Sequence, residues 1–110
     1  MGYFPNTALD RVTGNQTSGA FPLGRTHSKL SLQVVLTGSP SGGTVTVQGS
    51  LDCVNFDTTN ALATFTIGTD ASGAMKFSID KPLYAYRVVL ANLTGGTNPT
   101  VTALVGVGEP

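Results

Sequence analysis

The most reactive side chains in the sequence are a single cysteine, Cys53, and a single histidine, His27. A thiol beside an imidazole can act as a nucleophile and its base. The two residues lie 26 positions apart with no catalytic signature around either, so we interpret Cys53 as a half-buried thiol at a strand end and His27 as a surface imidazole in a loop. Zinc sites need three or four Cys, His or carboxylate ligands at suitable spacing. We therefore predict no catalytic residue, no metal, no cofactor and no enzymatic activity.

Four oxygen-bearing side chains fall close together, at Asp52, Asn55, Asp57 and Asn60. Such residues can ligate calcium, but an EF-hand loop requires alternating acidic positions, a central Gly and a terminal Glu. The segment has none of these features. Asp and Asn also favour turns, because their side chains hydrogen-bond to the nearby backbone. We interpret the segment as a turn rather than a calcium site.

Composition and charge exclude several classes of partner. The 110 residues include six basic and six acidic side chains, and charged residues make up 11% of the chain, against about 25% in an average soluble domain. The basic residues are scattered, whereas binding to phosphate backbones requires clustered Lys and Arg. No apolar run is long enough to span a membrane, and the N-terminus lacks the basic and apolar regions of a secretory signal. We expect one globular domain with neither a nucleic acid nor a membrane as its partner.

Apolar and polar residues alternate in six segments, which indicates half-buried β-strands. The segments cover residues 30–37, 44–51, 61–67, 74–79, 84–93 and 100–107. Turn residues separate them, and the first two segments with the loop between them indicate a hairpin. This pattern predicts an all-β chain, either a single antiparallel β-sandwich or a flattened barrel with an irregular N-terminal arm.

The same alternation predicts which side chains face the core. Met75 and Leu51 are expected to point inward with their strands. The expected core consists of Leu32, Val34, Leu36, Val45, Val47, Phe65, Ile67, Phe77, Ile79, Val88, Leu90, Val101 and Val105.

The first 29 residues follow a different pattern. Turn-forming dipeptides are too closely spaced for long strands, yet the segment is too apolar for a solvated tail. We predict an irregular arm over residues 1–29 and a β-sandwich domain over residues 30–110. The arm is locally basic, and we expect it to contact a neighbouring subunit or a capsid surface through Tyr3, Phe4, Phe21, Leu23 and Arg25. The alternative is that the arm packs as an extra edge strand on its own sandwich.

The segment from Val47 to Phe56 resembles the G-S-x-D-G-x-x-W hairpin of small β-sandwich proteins in tailed-phage virions. In that family a Tyr-x-Tyr-x-Arg strand and a Thr/Val-rich closing strand follow, and here residues 84–90 and 100–105 take those places. Cys53 stands where the family prefers Gly, and Phe56 stands where it prefers Trp. The resemblance covers roughly residues 30–107.

The resemblance implies a structural virion protein, in particular a capsid decoration (cement) protein on the outside of a phage head. The implied partners are the phage major capsid protein and further copies of the chain. The implied location is the virion, after synthesis in the host cytoplasm. The alternative is a phage tail module or a receptor- or carbohydrate-binding β-sandwich. The chain has no Trp for a sugar platform; the aromatic candidates are Phe56, Tyr84 and Tyr86, of which the alternation predicts the two tyrosines to face the core.

Overall fold

The computed structural model describes residues 4–108, which form seven β-strands and no helix. The described residues accordingly include no helix that could cross a membrane. The strands pair antiparallel throughout, so the all-β antiparallel prediction is confirmed. They are β1 Phe4–Val12, β2 Gln16–Thr17, β3 Phe21–Thr37, β4 Gly42–Ser50, β5 Ala63–Ile67, β6 Met75–Thr94 and β7 Thr100–Gly108.

One continuous sheet supplies both layers of the sandwich. Its order is β1-β7-β3-β6-β4-β5, with β2 also paired to β6. Leu9 of β1 and Phe65 of β5 come from opposite ends of this order, yet they belong to one buried cluster. The sheet therefore folds over on itself and stays open instead of closing into a barrel. The long strands β3 and β6 run through both layers, as strands do when bulges or bends turn the corners of a sandwich.

A bulge in β6 separates its two halves. Asp80 has a positive φ of 60°, and the pairing with β3 shifts in register between Ile79 and Leu83. The sequence pattern separates residues 74–79 from residues 84–93 by turn residues, but the chain continues through them as one bent strand. A bulge adds an unpaired residue and re-aims the side chains that follow it, so the two halves of β6 do not share one inward face.

The inward face predicted for residues 75–79 is wrong. Phe77 is 65% exposed and Ile79 is 62% exposed, while Ser78 between them is buried. Alternation identifies two faces of a strand but not which face meets the core, and a shift of one residue exchanges them. Leu51 is also exposed, because β4 ends at Ser50 and the chain turns away.

The remaining core prediction is confirmed. Leu36 is partly buried against the cluster. The other predicted positions are buried at 3% exposure or less, namely Leu32, Val34, Val45, Val47, Phe65, Ile67, Val88, Leu90, Val101 and Val105.

The predicted hairpin between residues 30–37 and 44–51 does not form. β3 pairs with β6 and β7, whereas β4 pairs with β5 and β6. The loop between them crosses between layers and bonds to the β6–β7 loop: Thr97 N–H donates to the Gly38 carbonyl, and Ser41 N–H donates to the Thr94 carbonyl. A Gly-rich connection between two alternating runs is compatible with a hairpin or a crossover, and long-range pairing decides between them.

Residues 4–29 are not the irregular arm that we predicted, because most of them lie in strands. β1 pairs with β7 along its length, and β2 pairs with Val89 and Leu90 of β6. The boundary predicted at residues 29 and 30 falls inside β3. The alternative of an extra edge strand on the same sandwich matches the structure, because β7 would otherwise lack a partner on one side.

Two predictions for single residues have opposite outcomes. His27 is buried at 1% exposure, not at the surface as predicted, because it lies in β3 opposite Leu83. Its Nδ1 lies 3.1 Å from the Arg25 carbonyl oxygen. Cys53 is half-buried after the end of β4, as predicted.

Candidate functional site

A pocket opens where β4 ends and the loop of residues 51–62 leads to β5. Its volume is about 480 Å³, within the roughly 300–1,000 Å³ typical of small-ligand sites. We call it the β4–β5 pocket. It is lined by Gly49, Ser50, Leu51, Asp52, Asn55, Phe56, Asp57, Asn60, Leu62 and Pro82.

The Ser50 hydroxyl organises the first turn of the loop. Its oxygen accepts the backbone N–H groups of Asp52 and Cys53 at 3.1 and 2.9 Å, and its proton is donated to Asp52 Oδ1 at 2.9 Å. Cys53 adopts a left-handed backbone with φ of 61°. This conformation explains why the resembled pattern prefers Gly there, because glycine adopts it without a steric penalty.

The loop contains two successive turns of the same type, each with the spacing Asp-x-x-Asn. Asp52 Oδ1 accepts the backbone N–H groups of Val54 and Asn55, and Asp52 Oδ2 accepts Asn55 Nδ2 at 2.7 Å. Asp57 repeats this arrangement with Thr59 and Asn60. The turn interpretation of these four polar residues is confirmed.

The two turns also fix the charge of the carboxylates. Hydrogen bonds from the backbone N–H groups of Asn55 and Val54 hold the pKa of Asp52 well below its usual value. The backbone N–H groups of Asn60 and Thr59 lower the pKa of Asp57 in the same way. Bonds to the ionised form favour that form, so the pocket carries two negative charges even in mild acid.

One side of the pocket is apolar and rests on the sheet. The Arg87 guanidinium lies 4.8 Å from the centre of the Phe56 ring, and Arg87 Nε donates to Gln48 Oε1 at 2.7 Å. A Cβ atom at Gly49 would lie 2.9 Å from Leu62 Cδ1, so only glycine leaves room for Leu62 to lie this close. We call the three lining residues Phe56, Leu62 and Pro82 the apolar wall; Arg87 of β6 contacts Phe56, and Gly49 of β4 adjoins Leu62.

A second surface lies on the outer face of the opposite layer. Met75, Phe77 and Ile79 form an exposed apolar row on β6, which we call the β6 stripe. A groove of about 270 Å³ adjoins it, with Gly106 and Gly108 among its lining. Exposed apolar patches of this kind mark interaction sites more often than isolated apolar residues do.

Of the five predicted contact residues, the structure describes the side chains of Phe21, Leu23 and Arg25. Phe21 stacks on the buried Tyr86 ring with centroids 5.0 Å apart, and Leu23 packs against the core. Arg25 is exposed. Phe4 lies in β1 opposite Val107. The structure describes the backbone of Phe4 but not its side chain, and Tyr3 lies outside the described residues. Contact of these residues with another subunit stays a prediction.

Sequence reasoning found some pocket residues and missed the β6 stripe. Of the three aromatic candidates for sugar binding, Tyr86 is fully buried and Tyr84 is half-buried, while Phe56 lines the pocket. The repeated Asp-x-x-Asn spacing was a visible signal for two turns. No local signal showed that Pro82 would join them, because its position depends on how β6 passes the end of β4.

Comparison with known proteins shows the fold. No protein-family model matches the chain, and no curated protein matches it in sequence. The SPBc2 prophage-derived protein YomS has a TM-score of 0.66 at 12% identity, over 96% of this chain and 91% of YomS. The PBSX exported protein XepA has a TM-score of 0.68 at 12% identity, over 96% of this chain and 37% of XepA.

A third similar structure comes from a carbohydrate-active enzyme. CBM32-3 from a family 31 glycoside hydrolase of Clostridium perfringens has a TM-score of 0.57 at 12% identity, over 97% of this chain and 75% of that chain. The same β-sandwich architecture therefore occurs in phage-derived proteins and in this glycoside hydrolase module. At such identities the likeness establishes architecture, and function depends on the surface that each chain carries.

Proposed function

We propose that the chain is a structural protein of a tailed-phage virion, and in particular a capsid decoration protein bound to the outside of the head. The observation that carries the proposal is the likeness to YomS, a prophage-derived chain matched over nearly the full length of both proteins. The residues that resemble the virion hairpin support it, because the turn from Ser50 to Cys53 has the left-handed position that this pattern requires.

The outer surface supports a role in protein–protein contact. Phe77 and Ile79 are each more than 60% exposed on a chain of zero formal net charge. Low net charge and exposed apolar residues favour association over a freely dispersed monomer. The proposed partners are the major capsid protein and further copies of this chain, and the proposed location is the virion. We propose no enzymatic activity.

Electron microscopy of particles that carry this chain tests the proposal. We expect density for the sandwich at capsomer junctions on the outer face of the head. Density on the tail would replace the decoration role with a tail role. The absence of ordered density for the sandwich on both the head and the tail would overturn the structural role altogether.

A second candidate function is carbohydrate binding. The observation in its favour is the β4–β5 pocket, which combines an aromatic wall at Phe56 with carboxylate and carboxamide groups. Sugar sites commonly join apolar surfaces to a few placed polar groups, and the likeness to CBM32-3 agrees with this reading. A glycan array probed with the labelled protein tests it, and an array with no bound glycan of any class would remove this candidate.

A further inference from the structure

The lining of the β4–β5 pocket is acidic. Asp52 and Asp57 both line it, and no Lys, Arg or His is among the described residues that do so. The Arg87 guanidinium lies over the Phe56 ring, and its Nε donates to Gln48 Oε1. A ligand in this cavity would meet two carboxylates and no cationic residue of the described lining.

Each carboxylate keeps acceptor capacity for a ligand. Oδ1 of Asp52 accepts two backbone N–H groups and the Ser50 hydroxyl, whereas Oδ2 accepts only Asn55 Nδ2. In Asp57, Oδ1 accepts two backbone N–H groups and Oδ2 lies 3.4 Å from Asn60 Nδ2. Each carboxylate oxygen offers about two acceptor positions, and each Oδ2 atom accepts at most one donor, so both Oδ2 atoms can accept a further one. The turns hold these atoms in place before any ligand arrives, which reduces the entropy cost of binding.

The apolar wall suits a ring with an apolar face. Phe56, Leu62 and Pro82 provide an aromatic, an aliphatic and a cyclic surface in one cavity. A pyranose ring has a C–H face that packs on such surfaces, while its hydroxyl groups donate to the surrounding acceptors. A bare metal ion would leave this wall unused.

We propose that the β4–β5 pocket binds a saccharide that carries a free amino group, with the ring against Phe56 and Leu62 and the ammonium group beside Asp52 and Asp57. The assignment rests on the second candidate function and not on the virion role. It names a ligand class, because an uncharged sugar would gain only hydrogen bonds from the two carboxylates. An attached ammonium group would also gain a charge–charge attraction to these two exposed carboxylates.

An NMR titration of the full chain tests the assignment with two matched probes, a glucosamine trimer and the fully N-acetylated trimer. The measurement is made at about pH 5.5, where carboxylates with lowered pKa are ionised. We expect the glucosamine trimer to shift the amide signals of residues 49–62 and Leu83, and the acetylated trimer to bind at least about tenfold more weakly. Added salt should weaken the binding, because the attraction is partly electrostatic.

The double variant Asp52→Asn and Asp57→Asn tests whether binding needs the negative charges of the two carboxylates. Asn can still accept the backbone N–H groups of each turn, so the loop is expected to fold while the charge is removed. The matched control is Asp10→Asn, an equal change at an exposed site in β1. We expect the double variant to lose glucosamine binding by at least about tenfold and the control to keep it.

Several results would overturn the assignment. Equal binding of the two trimers would refute the role of the amino group while leaving carbohydrate binding intact. If the double variant still bound the glucosamine trimer, the trimer would be attracted to some other part of the protein surface and not to Asp52 and Asp57. Equal competition by a lysine peptide would indicate a protein partner instead, and calcium chloride that shifts the same signals and displaces the trimer would indicate a cation site. The absence of binding by either trimer would also reject the proposal.

Discussion

At the scale of single residues, Cys53 shows how a strained position can persist in a loop that is otherwise well bonded. Its φ of 61° lies in the left-handed region, which costs a residue with a Cβ atom about 1–2 kcal/mol. Two neighbouring turns determine this backbone through Ser50 and Asp52. The strain is thus maintained by hydrogen bonds on both sides of the residue.

Replacing Cys53 with glycine is expected to stabilise the protein by about 0.5–1 kcal/mol. The change removes the left-handed penalty of about 1–2 kcal/mol, and the greater freedom of glycine in the unfolded chain offsets about 0.5–1 kcal/mol of that gain. Chemical denaturation measures the difference. Cys53→Ser is the matched control, because it removes the thiol and keeps the strain. If both variants were more stable than the parent by the same amount, the gain would come from removal of the thiol and not from relief of backbone strain.

Phe77 and Phe65 are the same residue type in opposite environments. Phe65 is fully buried, whereas Phe77 is 65% exposed. Phe65→Ala is expected to cost about 3–5 kcal/mol through lost burial and a cavity. Phe77→Ala is expected to change the free energy of unfolding by less than about 1 kcal/mol, as surface substitutions do. Urea denaturation of both variants compares them directly, and similar losses would place Phe77 in the core after all.

At the scale of elements, the N-terminal segment is part of the sandwich. β1 provides the partner of β7 and places Leu9 in the core at 1% exposure. Ser18 adds a reciprocal pair of bonds to Val88, since Ser18 N–H donates to the Val88 carbonyl and Val88 N–H donates to the Ser18 hydroxyl. Removal of this segment would expose an edge in each layer together with apolar core surface.

A chain that begins at Thr26 is therefore expected not to fold cooperatively. It lacks β1, β2 and the first five residues of β3. It also leaves the backbone groups on one side of β7 without their β1 partners. Circular dichroism during thermal unfolding measures the result. The control is Asp10→Asn in the full chain, which changes an exposed side chain of β1 and keeps its pairing. A shortened chain with nearly unchanged stability would support the original prediction that residues 1–29 are an arm outside the folded core.

At the scale of the whole molecule, acid should destabilise the protein through several aspartates together. Asp70 accepts the Thr66 N–H at 2.8 Å and lies 3.0 Å from Lys76 Nζ. The backbone bond from Thr66, followed by the contact with Lys76, lowers the pKa of Asp70, as local bonds do for Asp52 and Asp57. A carboxyl group with a lowered pKa in the folded state contributes stability above the unfolded value of 3.8. That contribution is lost as the pH falls through the folded value.

The melting temperature is thus expected to be steady above about pH 5 and to fall as the pH drops below the unfolded value of the aspartates. The melting temperature of Asp70→Asn should fall less steeply over the same pH range, because one of the three aspartates that bind a proton on acid unfolding is absent. Differential scanning calorimetry across this range measures both slopes. A variant with a slope identical to that of the parent would exclude Asp70 from the linkage.

The alternating segments by themselves determined the fold class and most of the core. Positions such as Leu32, Val45 and Val101 alternate with polar neighbours inside long strands, so a period of two places each on an apolar face, and these faces are buried in the structure. The Asp and Asn residues after Ser50 likewise predicted turns from their own chemistry. These features are local, because each depends on a residue and its nearest neighbours along the chain.

Only the tertiary structure decided the features that depend on pairing between distant strands. Phe77 pairs with Ser31 of β3, which lies between the buried Leu30 and Leu32, so Phe77 is on the outer face of the sheet. The edge of β7 recruits β1, so a segment rich in turn residues becomes a strand. The position of Pro82 beside the β4–β5 loop completes a pocket that no single segment encodes. In each case the free energy of the folded arrangement depends on contacts between residues far apart in sequence. A pattern within one segment carries no information about those contacts.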